Sequence, residues 1–167
     1  MIKLIATPES RQDVNELAAF FDSLKSPTVS MRQELGDVVR GLFAFRFINE
    51  GGPGSGWAPL KDWTQQERIR EGYDPFHPIL EREGDYRRSF TDPGNADNYE
   101  MTILRGNGWT MEFGSDDWRV TELEGGRPDM AARPVTLLED SEESDIGNML
   151  DRLFQQAADD MQLLRGA

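Results

Sequence analysis

The tightest constraint on this chain lies between Thr28 and Asn49. Met31, Leu35, Val38, Val39, Leu42, Phe43, Phe45 and Phe47 predict a helix there, apolar nearly all round by its end. Such a helix has to be buried, by its own domain or by a neighbouring subunit. At ~1.5 Å per residue it would be about 30 Å long. The 167 residues suffice for one domain with a sizeable core to cover it. The run ends at Phe47-Ile-Asn-Glu50. Gly51-Gly-Pro-Gly-Ser-Gly56 follows, and then Trp57-Ala-Pro-Leu60.

On the N-terminal side, Ile2 to Ala6 reads as a short strand. Val14, Leu17, Phe20, Phe21 and Leu24 mark a helix over 10–24, broken at Ser26-Pro27. On the C-terminal side, Thr64-Gln-Gln-Glu67 has the pattern of a capping box. A short helix to Glu71 should follow it. Ile79 to Phe90 reads as another helix, interrupted at Gly84. The period then becomes two. Tyr99, Met101 and Ile103, then Trp109, Met111 and Phe113, alternate on either side of Gly106-Asn-Gly108. That is a hairpin signal. Trp118, Val120 and Leu123 suggest a third strand, and Arg133 to Leu138 a fourth. Ser141 or Ser144 should cap a last helix striped by Ile146, Met149, Leu150, Leu153, Phe154, Ala157, Met161 and Leu164. The expected fold is α+β: N-terminal helices, an antiparallel sheet of about 3–4 strands in the second half, and a long amphipathic C-terminal helix. One domain over 1–167, with a flexible Gly-rich loop at about 50–56, is expected.

Charge narrows the partners. Eighteen basic against 31 acidic residues leave a net charge of -13. That opposes sequence-independent adhesion to DNA or to an anionic membrane, where affinity comes from Lys and Arg displacing counterions. There are no cysteines, hence no disulfide, thiolate or Cys-zinc chemistry. No apolar run approaches the ~20 residues of a membrane span. Met1 to Ser10 lacks the pattern of a signal peptide, which points to synthesis in the cytoplasm.

The candidate sites each have a plainer reading. Gly51 and Gly56 have P-loop spacing, but Trp57 stands where the motif needs Lys, and a helix precedes where a strand should. Glycine freedom in a sharp turn explains the loop better. His77 is the only histidine and sits between Phe76 and Pro78 in a turn. The acids from Glu139 to Asp145 lack the glycine and ligand spacing of a calcium loop. They suit a helix N-terminus, where the dipole favours negative charge. Glu81, Glu83 and Asp85 beside Arg82, Arg87 and Arg88 could supply a carboxylate pair for glycoside cleavage, but mixed charge also marks any solvated face. No catalytic, cofactor or metal site is expected. Trp57, Trp63, Trp109 and Trp118 read as core or interface residues.

In order, Phe47-Ile-Asn-Glu50, the glycines, Trp57-Ala-Pro-Leu60, Ile79-Leu80-Glu-Arg-Glu-Gly84-Asp-Tyr86-Arg-Arg-Ser89-Phe90 and Ala131-Ala-Arg133-Pro134-Val135 resemble the phage virion morphogenesis family. These are the Mu-like tail-completion and neck proteins of tailed phages. The resemblance covers roughly residues 30 to 165. Two departures stand out: Ala131 replaces the Pro of a Pro-Ala-Arg-Pro motif, and Trp118 to Glu122 contains no His where many members carry one.

The resemblance implies a non-enzymatic virion protein of the head–tail joint, a homo-oligomeric ring around the DNA channel at the neck or top of the tail. It would be made in the host cytoplasm. Its partners would be further copies of itself and neighbouring connector, tail terminator or tail tube proteins. DNA would pass its lumen without sequence-specific binding, and no cofactor is implied. Phe47, Trp57, Leu60, Arg133 and Pro134 are the expected interface residues. Trp57 and Leu60 would pin the loop's exit to the core or to a neighbour, and Arg133 would pair with a carboxylate beside Pro134. The alternatives are a small tail-associated peptidoglycan hydrolase using Glu81, or a transient tail-assembly chaperone or adaptor.

Overall fold

The computed structural model describes residues 26–165 except 53, 55, 77, 106 and 107. The strand expected at Ile2–Ala6, the helix over 10–24 and His77 lie outside the described residues. Helix α1 spans Val29–Asn49. Its N-cap is Thr28, whose hydroxyl accepts from the Met31 N–H at 3.1 Å. At its other end Glu50 turns left-handed, with φ 52°, and its N–H returns to the Arg46 carbonyl. Met31, Leu35, Val39, Phe43 and Phe47 form the buried stripe. Burial is not all round: Phe45 and Ile48 are exposed on the other side. Arg46, buried beside Phe47, is an unexpected member of the stripe.

Helix α2 (Asp62–Arg70) begins two residues before Thr64. The expected capping box is therefore absent. Lys61 holds the cap position without a side-chain bond, and the Thr64 N–H donates to the Lys61 carbonyl inside the first turn. The helix expected from Ile79 starts only at Asp85. Leu80 (φ 64°) and Gly84 (φ 74°) are both left-handed, which helical backbone cannot be. Helix α3 is thus short, Asp85–Thr91, and packs on α1.

Strands β1 (Asn98–Arg105) and β2 (Gly108–Ser115) form an antiparallel hairpin running from Asn98↔Ser115 to Arg105↔Gly108. Among the described residues the sheet has these two strands, against the three or four expected. Both missing strands have a local cause. At the third, the Asp117 carboxylate accepts from the Arg119 N–H at 2.9 Å, and the Asp117 carbonyl accepts from Val120 at 3.0 Å. This Asx turn starts helix α4 (Val120–Gly125) instead. At the fourth, the extended chain after Arg133 finds a carboxylate rather than a ladder. Glu124 accepts from the N–H of Val135 (2.7 Å), the N–H of Thr136 (3.2 Å) and the Thr136 hydroxyl (2.8 Å). Once those donors are satisfied, no strand partner is required.

Helix α5 spans Asp140–Arg165. Neither Ser141 nor Ser144 caps it, because both lie within it. Glu142 reaches back and accepts the N–H of Glu139 at 2.8 Å, the reciprocal half of a capping box.

Two apolar clusters share Phe113 and Ile146 at their margins. The larger is aromatic: Phe47, fully buried, meets Trp57 edge-on at 5.7 Å and Tyr86 at 5.9 Å between ring centroids, and Phe43 meets Phe90 at 5.4 Å. The smaller joins Met31 and Leu35 of α1 to Met149 and Leu153 of α5, with Trp109 and Met111 of the hairpin against it. Helix and sheet elements thus combine in a mixed fold, as expected.

Candidate functional site

The glycine loop closes on itself. Gly51 bridges Gly56, and the Trp57 N–H donates to the Glu50 carbonyl, so the chain leaves α1 and returns beside it. Inside the turn lies a carboxylate of the protein's own. The Gly54 N–H donates to Glu139 at 2.8 Å. A Cβ on Gly52 would overlap Glu139 Oε1, and one on Gly54 would come within 3.0 Å of Oε2. Glycine at these positions leaves room for that carboxylate in the turn. The loop does hold an anionic group, but that group is Glu139, at the head of α5.

Glu50 ties down the neighbouring segment as well. Its carboxylate accepts from the Ile79 N–H at 2.7 Å. Trp57 packs on Phe47, and its indole N–H donates to the Pro134 carbonyl at 3.1 Å. In the opposite sense, Arg133 donates to the Ala58 carbonyl at 3.2 Å. The segments 57–60 and 133–135 therefore clasp each other through reciprocal bonds, with half-buried Leu60 against the larger core. All five residues singled out in the sequence belong to this neighbourhood: Phe47, Trp57, Leu60, Arg133 and Pro134. Arg133 departs from expectation in one respect. Its partner is a backbone carbonyl rather than a carboxylate, and its Nε is buried with no acceptor.

An arginine that does pair with a deeply buried carboxylate is Arg46. It donates to Glu142 and to the Leu137 carbonyl, locking α1 to the head of α5. The sequence signal was an arginine within an apolar stripe, between Phe43 and Phe47. Glu142 could not be told from the solvated acids around it.

Beside the clasp opens a groove of about 630 Å³ between α2, the 58–61 segment and the 127–133 turn. Leu60, Trp63, Leu80, Leu123 and Met130 give it apolar walls. Lys61, Arg68, Arg82, Arg127 and Arg133 line it too, against Glu67, Glu71 and Asp129. Arg82 pairs with Glu71 (3.0 Å), Arg127 pairs with Glu122 (3.1 Å), and Lys61 donates to the Asp129 carbonyl. Arg68 and Arg133 are both buried. Burial, then the charge of Arg82, pushes Arg68 below its ordinary pKa, with Glu50 opposing. Burial, then Arg68, does the same to Arg133, again opposed by Glu50.

Glu81 is not part of this groove; its carboxylate is paired with Arg87 at 2.9 Å. Among the described residues no cluster of His, Asp or Glu has the arrangement of a metal site, and no helix is long and apolar enough to cross a membrane. Compared with family models, with curated proteins and with solved structures, the chain matches none.

Proposed function

We propose that this chain is a structural component of a tailed-phage virion. In this reading copies of it form a ring at the neck or top of the tail, joining head connector and tail around the DNA channel. The observation that carries the reading is the clasp. The segments on which the family resemblance rests lie far apart in sequence, yet Phe47, Trp57 to Leu60 and Arg133-Pro134 meet at one place and hold each other. A motif set whose parts touch is one structural unit rather than scattered coincidences. Phe45 and Ile48, exposed on α1, add an apolar surface of the kind that subunit contacts cover. In the ring, residues around the clasp meet the next subunit. The net charge of -13 per copy then favours a lumen that DNA slides past.

Electron microscopy of purified particles, with the chain located in density, is the test. Density for a ring of this chain at the joint is the expected result. Absence of the chain from mature particles would leave the transient adaptor instead. Clearing of cell-wall suspensions, lost in Glu81→Gln, would replace the reading with the hydrolase.

A further inference from the structure

We propose that the groove beside the clasp receives the Leu137–Asp140 corner of a second copy, head to tail. This inference rests on the ring reading above and names its contact.

In the groove the charge balance runs against that of the chain as a whole. Five basic residues line it against three acidic ones, in a chain whose net charge is -13. Arg68 and Arg133 are each more than nine-tenths buried in its wall. Arg133 gives Nη2 to the Ala58 carbonyl, while its Nε finds no acceptor. An apolar hollow with an excess of basic side chains along it suits an occupant that is apolar at its tip and carries carboxylates next to it.

The chain offers such a segment at the start of α5. Leu137 is 61% exposed and is followed by Leu138, Glu139 and Asp140, with Glu143 one turn on. Asp140 and Glu143 are exposed. This corner is held in place, because buried Arg46 grips the Leu137 carbonyl. A subunit cannot fold the corner back into its own groove. The short strip from Arg133 to Leu137 is fixed at both ends, by the Arg133 N–H on the Leu123 carbonyl at 2.7 Å and by Arg46 on Leu137. Groove and corner are different surfaces of one chain. Joining them between copies is a heterologous contact, which propagates from copy to copy and forms a ring when its rotation closes.

Two substitutions at exposed positions test this in the full chain. Leu137→Asp spoils the corner, and Trp63→Glu puts negative charge at the rim of the groove. Circular dichroism checks that both fold. In analytical ultracentrifugation the wild type is expected to assemble, and each variant to associate at least tenfold more weakly. An equimolar mixture of the two variants should give dimers that grow no further, since one intact groove meets one intact corner. Variants that assemble like the wild type would overturn the proposal and leave the ring reading standing. So would a mixture that stays monomeric. A wild type that stays monomeric at every concentration leaves the groove to a different protein and overturns the proposal too. The ring reading falls separately, on absence of the chain from mature particles.

Discussion

The indole N–H of Trp57 donates to the carbonyl of Pro134 across 3.1 Å, bridging 77 residues of chain. With the Arg133–Ala58 bond beside it, this contact joins the return from α1 to the segment that leads into α5. Trp57→Ala removes both the bond and the edge-on packing against Phe47. A loss of ~3–5 kcal/mol, typical of aromatic truncation in a core, is expected in urea unfolding. In the ring reading, assembly is lost with it. Trp57→Phe keeps most of the packing but leaves the Pro134 carbonyl without its donor, and should cost about 1–3 kcal/mol. Equal stability of Trp57→Phe and the wild type would show that the bond contributes nothing.

A methyl group on Gly52 would collide with the Glu139 carboxylate and push that side chain out of the turn. Gly52→Ala is therefore expected to break the Gly54–Glu139 hydrogen bond and to destabilise by about 0.5–1.5 kcal/mol. The penalty should shrink when Glu139 is also replaced by Ala. A double-mutant cycle would read this coupling as at least ~0.5 kcal/mol. Strict additivity would mean that the loop does not close on Glu139.

Arg46 and Glu142 form the most deeply buried ion pair described, with side-chain exposures of 1% and 4%. Arg46→Met leaves the buried carboxylate without its counter-charge and is expected to cost ~3–5 kcal/mol. The double variant Arg46→Met with Glu142→Leu should be more stable than Arg46→Met, because no charge is then stranded. Chemical denaturation of both variants decides the matter.

Asp117 contributes a pH dependence to stability. Hydrogen bonds from the Arg119 side chain, the largest influence, hold its carboxyl below its ordinary value, while its burial opposes them. A carboxyl with a depressed folded value contributes stability above its unfolded pKa of ~3.9 and loses it as pH falls through the folded value. Thermal melts from pH 5 down to pH 2 should therefore fall more steeply for the wild type than for Asp117→Asn. Parallel curves would contradict this.

Local pattern made much of this legible. The span of α1 and the two alternating strands of the hairpin follow from nearest neighbours and from periods of 3.6 and 2. The sites where sequence reasoning failed have three causes. At Asp117 and Glu124 a single carboxylate satisfies backbone donors that a strand would otherwise have satisfied. At Leu80 and Gly84 left-handed backbone delays a helix that the apolar spacing had started. At Glu139 and Glu142, members of a run that reads as solvated acid turn inward, one to the glycine loop and one to Arg46.

By itself, then, the sequence determined a mixed fold, a buried and aromatic helix, and a glycine break anchored by Trp57. Each of these is a property of residues within a few positions of one another. Only the tertiary structure decided what fills the glycine loop, which carboxylate answers the buried arginine, and that Trp57 and Arg133 grip each other's backbone. Those are pairings between groups some 75 to 96 residues apart. A side chain's type says that it needs a partner, and only packing says which one it gets.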